Sequence, residues 1–341
     1  MKLAAVVAIV VAVGACKQRR DDSSSPPPPQ SPSNTVAAHA ATPDAATTCT
    51  ARGAHTCSGD AVVECTRDGR VGPVVQSCKA GCRDGACVDT CATQGAALVY
   101  LVDHDNELLS FDPEQLAAEP FHVVAKLACP GESSRPFSMA VQRTGIAWVM
   151  FDDGQLFRVS IVDGHCAAAP FERDHAPATF GMGFTHTGSG SDGETLYTVN
   201  SGPGAFGTLD VTAEPEPAWR SLGTTERDTS VNAPDLTGTR NGELFGYFAE
   251  TDGPSWIRRI DPATGAATTE TYSVPSHGSE PQAWAFAHWG GVFYVFVTFD
   301  HDSHLYTVNR KTRKAVLVRD HLPYEISGAG VSTCAPELEA P

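Results

Sequence analysis

Between Pro136 and Phe171 the chain reads "PFSMAVQRTGIAWVMFDDGQLFRVSIVDGHCAAAPF", four short segments in which apolar residues alternate with small or polar ones. A period of two, broken by Gly and Asp, is the pattern of short antiparallel strands. The same four-segment unit recurs. From Gly181 to Gly223 it runs through "GFTHTG", "TLYTVN", "FGTLDVT" and "AWRSLG"; from Ala233 to Val274 through "DLTGTRNG", "ELFGYFAE", "SWIRRIDP" and "TTETYSV". From Ala283 to His321 it runs through "WAFAHWGG", "VFYVFVTF", "HLYTVNR" and "AVLVRDH". Long helical patterns are absent, and a repeat of about 45 residues built from strands predicts a radial all-β array.

The ends complete the count. Residues 98–126 supply "LVYLVD", "ELLSFDP" and "FHVVAKL", which match the second, third and fourth strands of a unit. The missing first strand appears at the far end as "ISGAGVSTC", Ile326 to Cys334, with no strand following it. A ring whose last blade is built from both termini leaves no exposed strand edges. Residues 95–336 therefore resemble a five-bladed β-propeller. The expected fold is all-β: a five-bladed β-propeller closed by its termini and preceded by a small disulfide-rich module. The glycines of "FGMGF", Phe180 to Phe184, lack the spacing of a dinucleotide site and are expected to pack the crowded hub.

Two hairpins look alike across this ring: "VDHDNELLSFDP", Val102 to Pro113, and "FDHDSHLYTVNR", Phe299 to Arg310. As second-to-third-strand hairpins of the first and last blades they are a repeat signature, with Asp-His-Asp expected in the turn, where Asp makes local hydrogen bonds to the backbone. The face carrying such turns would collect Asp103, Asp105, Asp152, Asp153, Asp252, Asp300 and Asp302, and the interblade connections add Asp174, His175, His277 and Glu280. Oxygen ligands of this kind suit calcium; solvated turn carboxylates are the plainer reading.

The chain begins "MKLAAVVAIVVAVGAC". One lysine, then an apolar run from Leu3 to Val13, shorter than the ~20 residues needed to span a bilayer, describes an export signal. "VGAC" resembles a bacterial lipobox, which implies that Cys16 becomes the lipid-bearing N-terminus and that the membrane is held through that lipid. Lys17 stands where an aspartate would retain an enteric lipoprotein at the inner membrane, so the outer membrane is expected. Residues 1–15 are then the signal peptide. Residues 16–48, rich in Pro, Ser, Thr and Ala, have too little apolar surface to fold and read as a tether.

Eleven cysteines less Cys16 leave ten, the even count of a disulfide framework in an exported chain. Seven (Cys49, Cys57, Cys65, Cys78, Cys82, Cys87, Cys91) fall in a module at 49–91, and three (Cys129, Cys166, Cys334) lie beyond it. Two odd counts require a crossing bridge, for which Cys91 and Cys334 are the expected pair, with Cys129 joined to Cys166. Cys-x2-Cys knuckles are absent, so disulfides are favoured over zinc. The six remaining cysteines allow fifteen pairings. The module resembles Cys-rich segments of bacterial envelope lipoproteins, on "CSGDAVVEC", "SCKAGC" and "DGACV". Residues 337–341 form a tail.

With 40 acidic against 24 basic residues and a formal charge of -16, the chain has no basic surface for nucleic acid. No nucleophile elbow, zinc-protease helix or phosphate loop is present. The first strands carry Gln142, His186, Asp235, Arg240, His288 and Ser332 toward the expected channel, so His186, Asp235 and His288 are the polar hub candidates. A lone carboxylate there falls short of the pair a glycosidase uses. The functional expectation is a lipid-anchored envelope propeller that binds or scaffolds a protein or glycan ligand, with no catalytic residue assigned. The alternative is a hub-based hydrolase or lyase acting on carbohydrate or lactone substrates.

Overall fold

The computed structural model describes residues 49, 53–59, 61–78, 82–83, 85–87, 91, 93–129, 134–171, 176–187, 193–200, 204–213, 215–225, 234–250, 253–275 and 278–337. The signal peptide, Cys16, the tether, Asp174, His175, Asp252 and His277 lie outside the described residues.

The cysteine-rich segment holds a three-stranded antiparallel sheet, β1 (His55–Ser58), β2 (Ala61–Cys65) and β3 (Val71–Ser77), and a small hairpin of β4 (Cys82–Arg83) and β5 (Ala86–Cys87). Its disulfides are Cys49–Cys65, Cys57–Cys82 and Cys78–Cys87. Val62 and Val63 are among its few buried large side chains, so covalent staples replace a core too small to hold the segment.

Five four-stranded antiparallel sheets follow. The first combines β6 (Val99–Asp103), β7 (Glu107–Phe111) and β8 (Phe121–Lys126) with the last strand of the chain, given below. The second is β9 (Pro136–Gln142), β10 (Ile146–Phe151), β11 (Leu156–Ser160) and β12 (Cys166–Ala168); the third is β13 (Phe180–His186), β14 (Glu194–Asn200), β15 (Ala205–Asp210) and β16 (Ala218–Thr224). The fourth is β17 (Asp235–Gly238), β18 (Leu244–Phe248), β19 (Ser255–Ile260) and β20 (Ala267–Val274); the fifth is β21 (Pro281–Trp289), β22 (Val292–Phe299), β23 (Asp302–Asn309) and β24 (Ala315–Leu322). The chain ends with β25 (Ile326–Val331), which pairs antiparallel with β6, Val331 opposite Val99 and Ile326 opposite Asp103. The fold is all-β and propeller-like.

Five apolar clusters hold these sheets together, each shared by two neighbours. Leu101, Leu109 and Phe111 of the first sheet pack with Ala285 and Phe296 of the fifth, and Val102 and Leu108 pack with Met139 and Val149 of the second. Met150 and Leu156 meet Phe184 and Leu196; Val199 and Phe206 meet Leu236 and Ile260; Tyr247 and Ile257 meet Phe286 and Val295. A strand between two sheets is buried on both faces, which is why β22, "VFYVFVTF", is a continuous apolar run rather than an alternating one. The outermost strands β8 and β24 have only one covered face and show intermittent exposure.

Close approach at the hub explains "FGMGF". A Cβ on Gly183 would lie 2.8 Å from the Leu236 carbonyl oxygen of the next inner strand. Glycine is needed there by backbone proximity, not by an unusual φ.

The two Asp-His-Asp hairpins are built differently, which corrects the expectation that both triplets occupy the turn. Asp103 ends β6, and its Oδ1 accepts hydrogen bonds from the N–H groups of Asp105 (3.0 Å) and Glu107 (2.8 Å). In the second hairpin, Asp300 (φ 50°) and His301 (φ 64°) form the turn and Asp302 already belongs to β23. Positive φ at both central residues is the geometry of the tightest hairpins, and Asp tolerates it better than most. A two-residue turn advances the strand, so residues aligned in sequence are not equivalent in space.

Candidate functional site

The strands β9, β13, β17, β21 and β25 each form one edge of their sheets, lie next to one another in the fold, and share a starting end. Their starting ends surround a cavity of about 270 Å3, lined by Pro136, Phe137, Ser138, Gly181, Pro234, Asp235, Gln282, Ala283, Trp284 and Ser327, with His104, Arg135 and Asp152 from adjacent turns.

Asp235 is the group that sets its chemistry. It opens β17 and is 4 % exposed. Its Oδ1 accepts a hydrogen bond from the Ser138 hydroxyl at 3.1 Å, and Ser138 Oγ accepts in turn from the Met182 N–H at 3.2 Å. Oδ2 is buried and makes no hydrogen bond among the described residues. Burial pushes the carboxyl from its ordinary 3.8 up to about 8; the backbone N–H of Leu236, the Ser138 hydroxyl and the backbone N–H groups of Phe286 and Met182 oppose this only in part. At neutral pH Asp235 is therefore a carboxylic acid, able to donate as well as accept.

The surroundings are mixed. Trp284 and Phe137 are half-buried apolar walls. His104 lies 3.2 Å from Glu325, and Asp152 at the rim accepts from the Arg135 N–H at 3.3 Å.

The opposite end is filled by the chain itself. Cys91 and Cys334 are joined there, and Arg143 Nη2 donates to Cys91 Sγ at 3.1 Å. Glu194 accepts from the Arg143 N–H (3.0 Å) and from the Thr333 hydroxyl (3.1 Å). The remaining disulfide, Cys129–Cys166, ties the segment after β8 to β12.

The three hub candidates do not converge. Asp235 lines the cavity, whereas His186 ends β13 near the filled end, where its N–H donates to the Thr239 carbonyl at 3.0 Å. His288 does not reach the channel. It is 2 % exposed and packs between Phe293 (5.4 Å) and Phe245 (6.5 Å), where burial first and the Arg310 charge second push it down to about 3. It is a neutral core residue. Gln142 accepts from the Trp148 ring N–H at 3.5 Å, Arg240 follows β17 instead of lying on it, and Ser332 donates to the Ala96 carbonyl at 2.5 Å.

Among the described residues, the expected acidic face is not gathered around a single ion. Asp103 serves its own turn, and the Asp153 carboxylate accepts from the Gln155 backbone N–H at 2.9 Å. Glu280 and Asp300 border a shallow depression that shares Gln282 and Trp284 with the mouth cavity. Among the described residues, the acids and histidines close enough to share one ion are Asp302, His304 and Asp320. Asp302 is the one member expected from sequence. His304 shares its strand face two residues on, a visible signal, but the approach of Asp320 depends on pairing with β24 and had none.

No helix among the described residues is long and apolar enough to cross a membrane. No protein-family model matches the chain, and no curated protein matches it in sequence. Solved structures with similar folds include a chain of a nidogen–laminin complex (11 % identity, 68 % of this chain, 97 % of that chain, TM-score 0.43). A luciferin-regenerating enzyme is similar at 16 % identity over 64 % of this chain and 75 % of that chain, TM-score 0.41. A protein described as a gluconolactonase candidate is similar at 15 % identity over 77 % of this chain and 83 % of that chain, TM-score 0.39. At these values no property of those proteins carries over to this chain.

Proposed function

We propose that this chain is an exported, lipid-anchored binding protein, a closed five-bladed propeller at 95–336 whose open mouth takes a small, uncharged, hydroxyl-bearing ligand such as the end of a glycan. The observation that carries the reading is the neutral, buried Asp235 with an unsatisfied Oδ2 in the wall of the mouth cavity. An unpaired buried polar atom costs about 1–3 kcal/mol, and a ligand hydroxyl would remove that cost. A volume of about 270 Å3 sits at the small end of ligand pockets, and an aromatic wall beside a few fixed polar groups is the usual composition of such sites. Five disulfides support an oxidising compartment. The five sheets, the five shared clusters and the β25–β6 pairing support closure into five blades.

Calorimetric titration with a panel of neutral monosaccharides and short glycans tests this. Wild-type protein is expected to bind at least one member, and Trp284→Ala and Asp235→Leu are each expected to weaken that binding by at least ~10-fold, the factor for ~1.4 kcal/mol of lost contact. Binding that neither variant alters would refute the site.

Asp235 also has the raised pKa of a general acid, which keeps a hydrolase as the second reading. The other cavity-lining carboxylate is the exposed rim residue Asp152. Release of product from a glycoside or lactone, abolished in Asp235→Asn, would favour catalysis over binding.

Lipid anchoring through Cys16 has its own test. Cys16→Ala is expected to move the protein from the membrane to the soluble fraction; unchanged detergent partitioning would contradict it.

A further inference from the structure

On the outer half of the fifth sheet, at the hairpin end of β23, two histidines and two aspartates meet. His304 is 4 % exposed, with its Nδ1 2.5 Å from Asp320 Oδ1 and its Nε2 3.8 Å from Asp302 Oδ2. His321 bridges the same two acids, its Nδ1 2.8 Å from Asp302 Oδ2 and its Nε2 3.8 Å from Asp320 Oδ2. One ligand atom from each of Asp302, His304 and Asp320 lies within 4.8 Å of the others.

The pairing of β23 with β24 produces this arrangement. Ser303 faces Leu322 and Leu305 faces Arg319, so the single residue His304 is opposed by two, Asp320 and His321. In an unbroken strand, successive side chains point to opposite faces. The extra residue breaks that alternation, His321 takes a φ of 53°, and both side chains reach the acid and imidazole of β23. Bulges re-aim side chains in this way, often next to functional sites. On β23, Asp302 and His304 are two apart and share a face, and the Phe299 ring stands 6.1 Å from the His304 ring.

We propose that Asp302, His304, Asp320 and His321 form a binding site for one divalent transition-metal ion of the zinc class. Two imidazoles and two carboxylates make a four-ligand nitrogen–oxygen set, and zinc takes such ligands at about 2.0–2.2 Å in tetrahedral geometry. Tetrahedral ligands at that radius stand roughly 3.3 Å from one another; each imidazole offers one nitrogen to a single ion, and with one atom apiece Asp302, His304 and Asp320 lie within 4.8 Å of one another, with His321 Nδ1 2.8 Å from the Asp302 carboxylate. Imidazole nitrogens separate this site from calcium and magnesium, which take oxygens. The ion would clamp the bulged outer strand β24 to β23, with His304 as the buried anchor and His321, 77 % exposed at its side chain, on the solvent side.

The test uses the full chain after chelation and dialysis, titrated with zinc chloride by calorimetry and, separately, with cobalt chloride by visible absorption. The expected result is one zinc per chain, a melting temperature that rises with zinc and not with calcium, and the strong absorption of four-coordinate cobalt. His321→Ala, at an exposed position that folding tolerates, and Asp302→Asn are each expected to weaken zinc binding by at least ~10-fold. His304→Ala is expected to abolish it, with circular dichroism reporting whether that buried variant folds. Absence of zinc binding, or zinc binding unchanged in both His321→Ala and Asp302→Asn, overturns the proposal and leaves the cluster as charge pairs.

Discussion

Asp235→Asn is expected to stabilise the folded chain at pH 7 and to leave it nearly unchanged at pH 4. The folded-state carboxyl titrates near 8 against an ordinary 3.8, so between those values the folded state binds a proton that the unfolded state has lost. Stability therefore falls as pH rises through that window; this contribution is fully present below pH 3.8 and fully lost above about 8. At 1.36 kcal/mol per unit, the penalty at pH 7 reaches about 4 kcal/mol as an upper bound. Asn presents a neutral group of the same shape and removes it, less whatever its amide leaves unpaired. Urea denaturation of both proteins at pH 4 and pH 7 measures the effect. Most substitutions of a buried polar residue destabilise, so a gain confined to the higher pH is diagnostic of a trapped acid. Equal stability differences at the two pH values would contradict it.

The second large effect concerns the seam. The Cys91→Ala/Cys334→Ala double variant is expected to lose up to ~5 kcal/mol by the loop-entropy account, and less where the β25–β6 pairing still holds the ends together. The comparison variant is Cys129→Ala/Cys166→Ala. The two bridges span 243 and 37 residues, and that ratio alone makes the seam bridge worth about 1.7 kcal/mol more. Equal or reversed losses in denaturant titrations would show that the bridge does not constrain the open chain.

The strand architecture was legible because each repeat carries turn residues at regular intervals, and because "ISGAGVSTC" could only be the missing first strand of 98–126. Parity required a crossing bridge, and the positions of Cys91 at the module boundary and Cys334 near the C-terminus singled out the pair that forms. Side-chain direction was another matter. His288 sits on an inner strand as expected, yet its ring enters the Phe245–Phe293 core, because inner strands direct their side chains toward neighbouring sheets more than into the channel. The Asp-His-Asp likeness misled for a related reason. A two-residue turn at Asp300–His301 shifts Asp302 into the strand, and no composition rule distinguishes that from the longer turn after Asp103. The gathering of Asp302, His304, Asp320 and His321 depends on a bulge sixteen residues further along the chain from His304, visible only in the pairing register. Asp235 is legible in the sequence as the lone hub carboxylate, but its neutrality depends on burial beside Ser138, 97 residues away in sequence.

The claim that the mouth holds a protonated acid ready for a ligand is tested most directly by difference infrared spectroscopy of wild-type against Asp235→Asn protein. The account predicts a protonated carboxylic C=O band at pH 7 that is present in wild type, absent in the variant, and lost from wild type as pH passes about 8. No such band at pH 7, with the wild-type carboxylate signal already complete near pH 5, would contradict it.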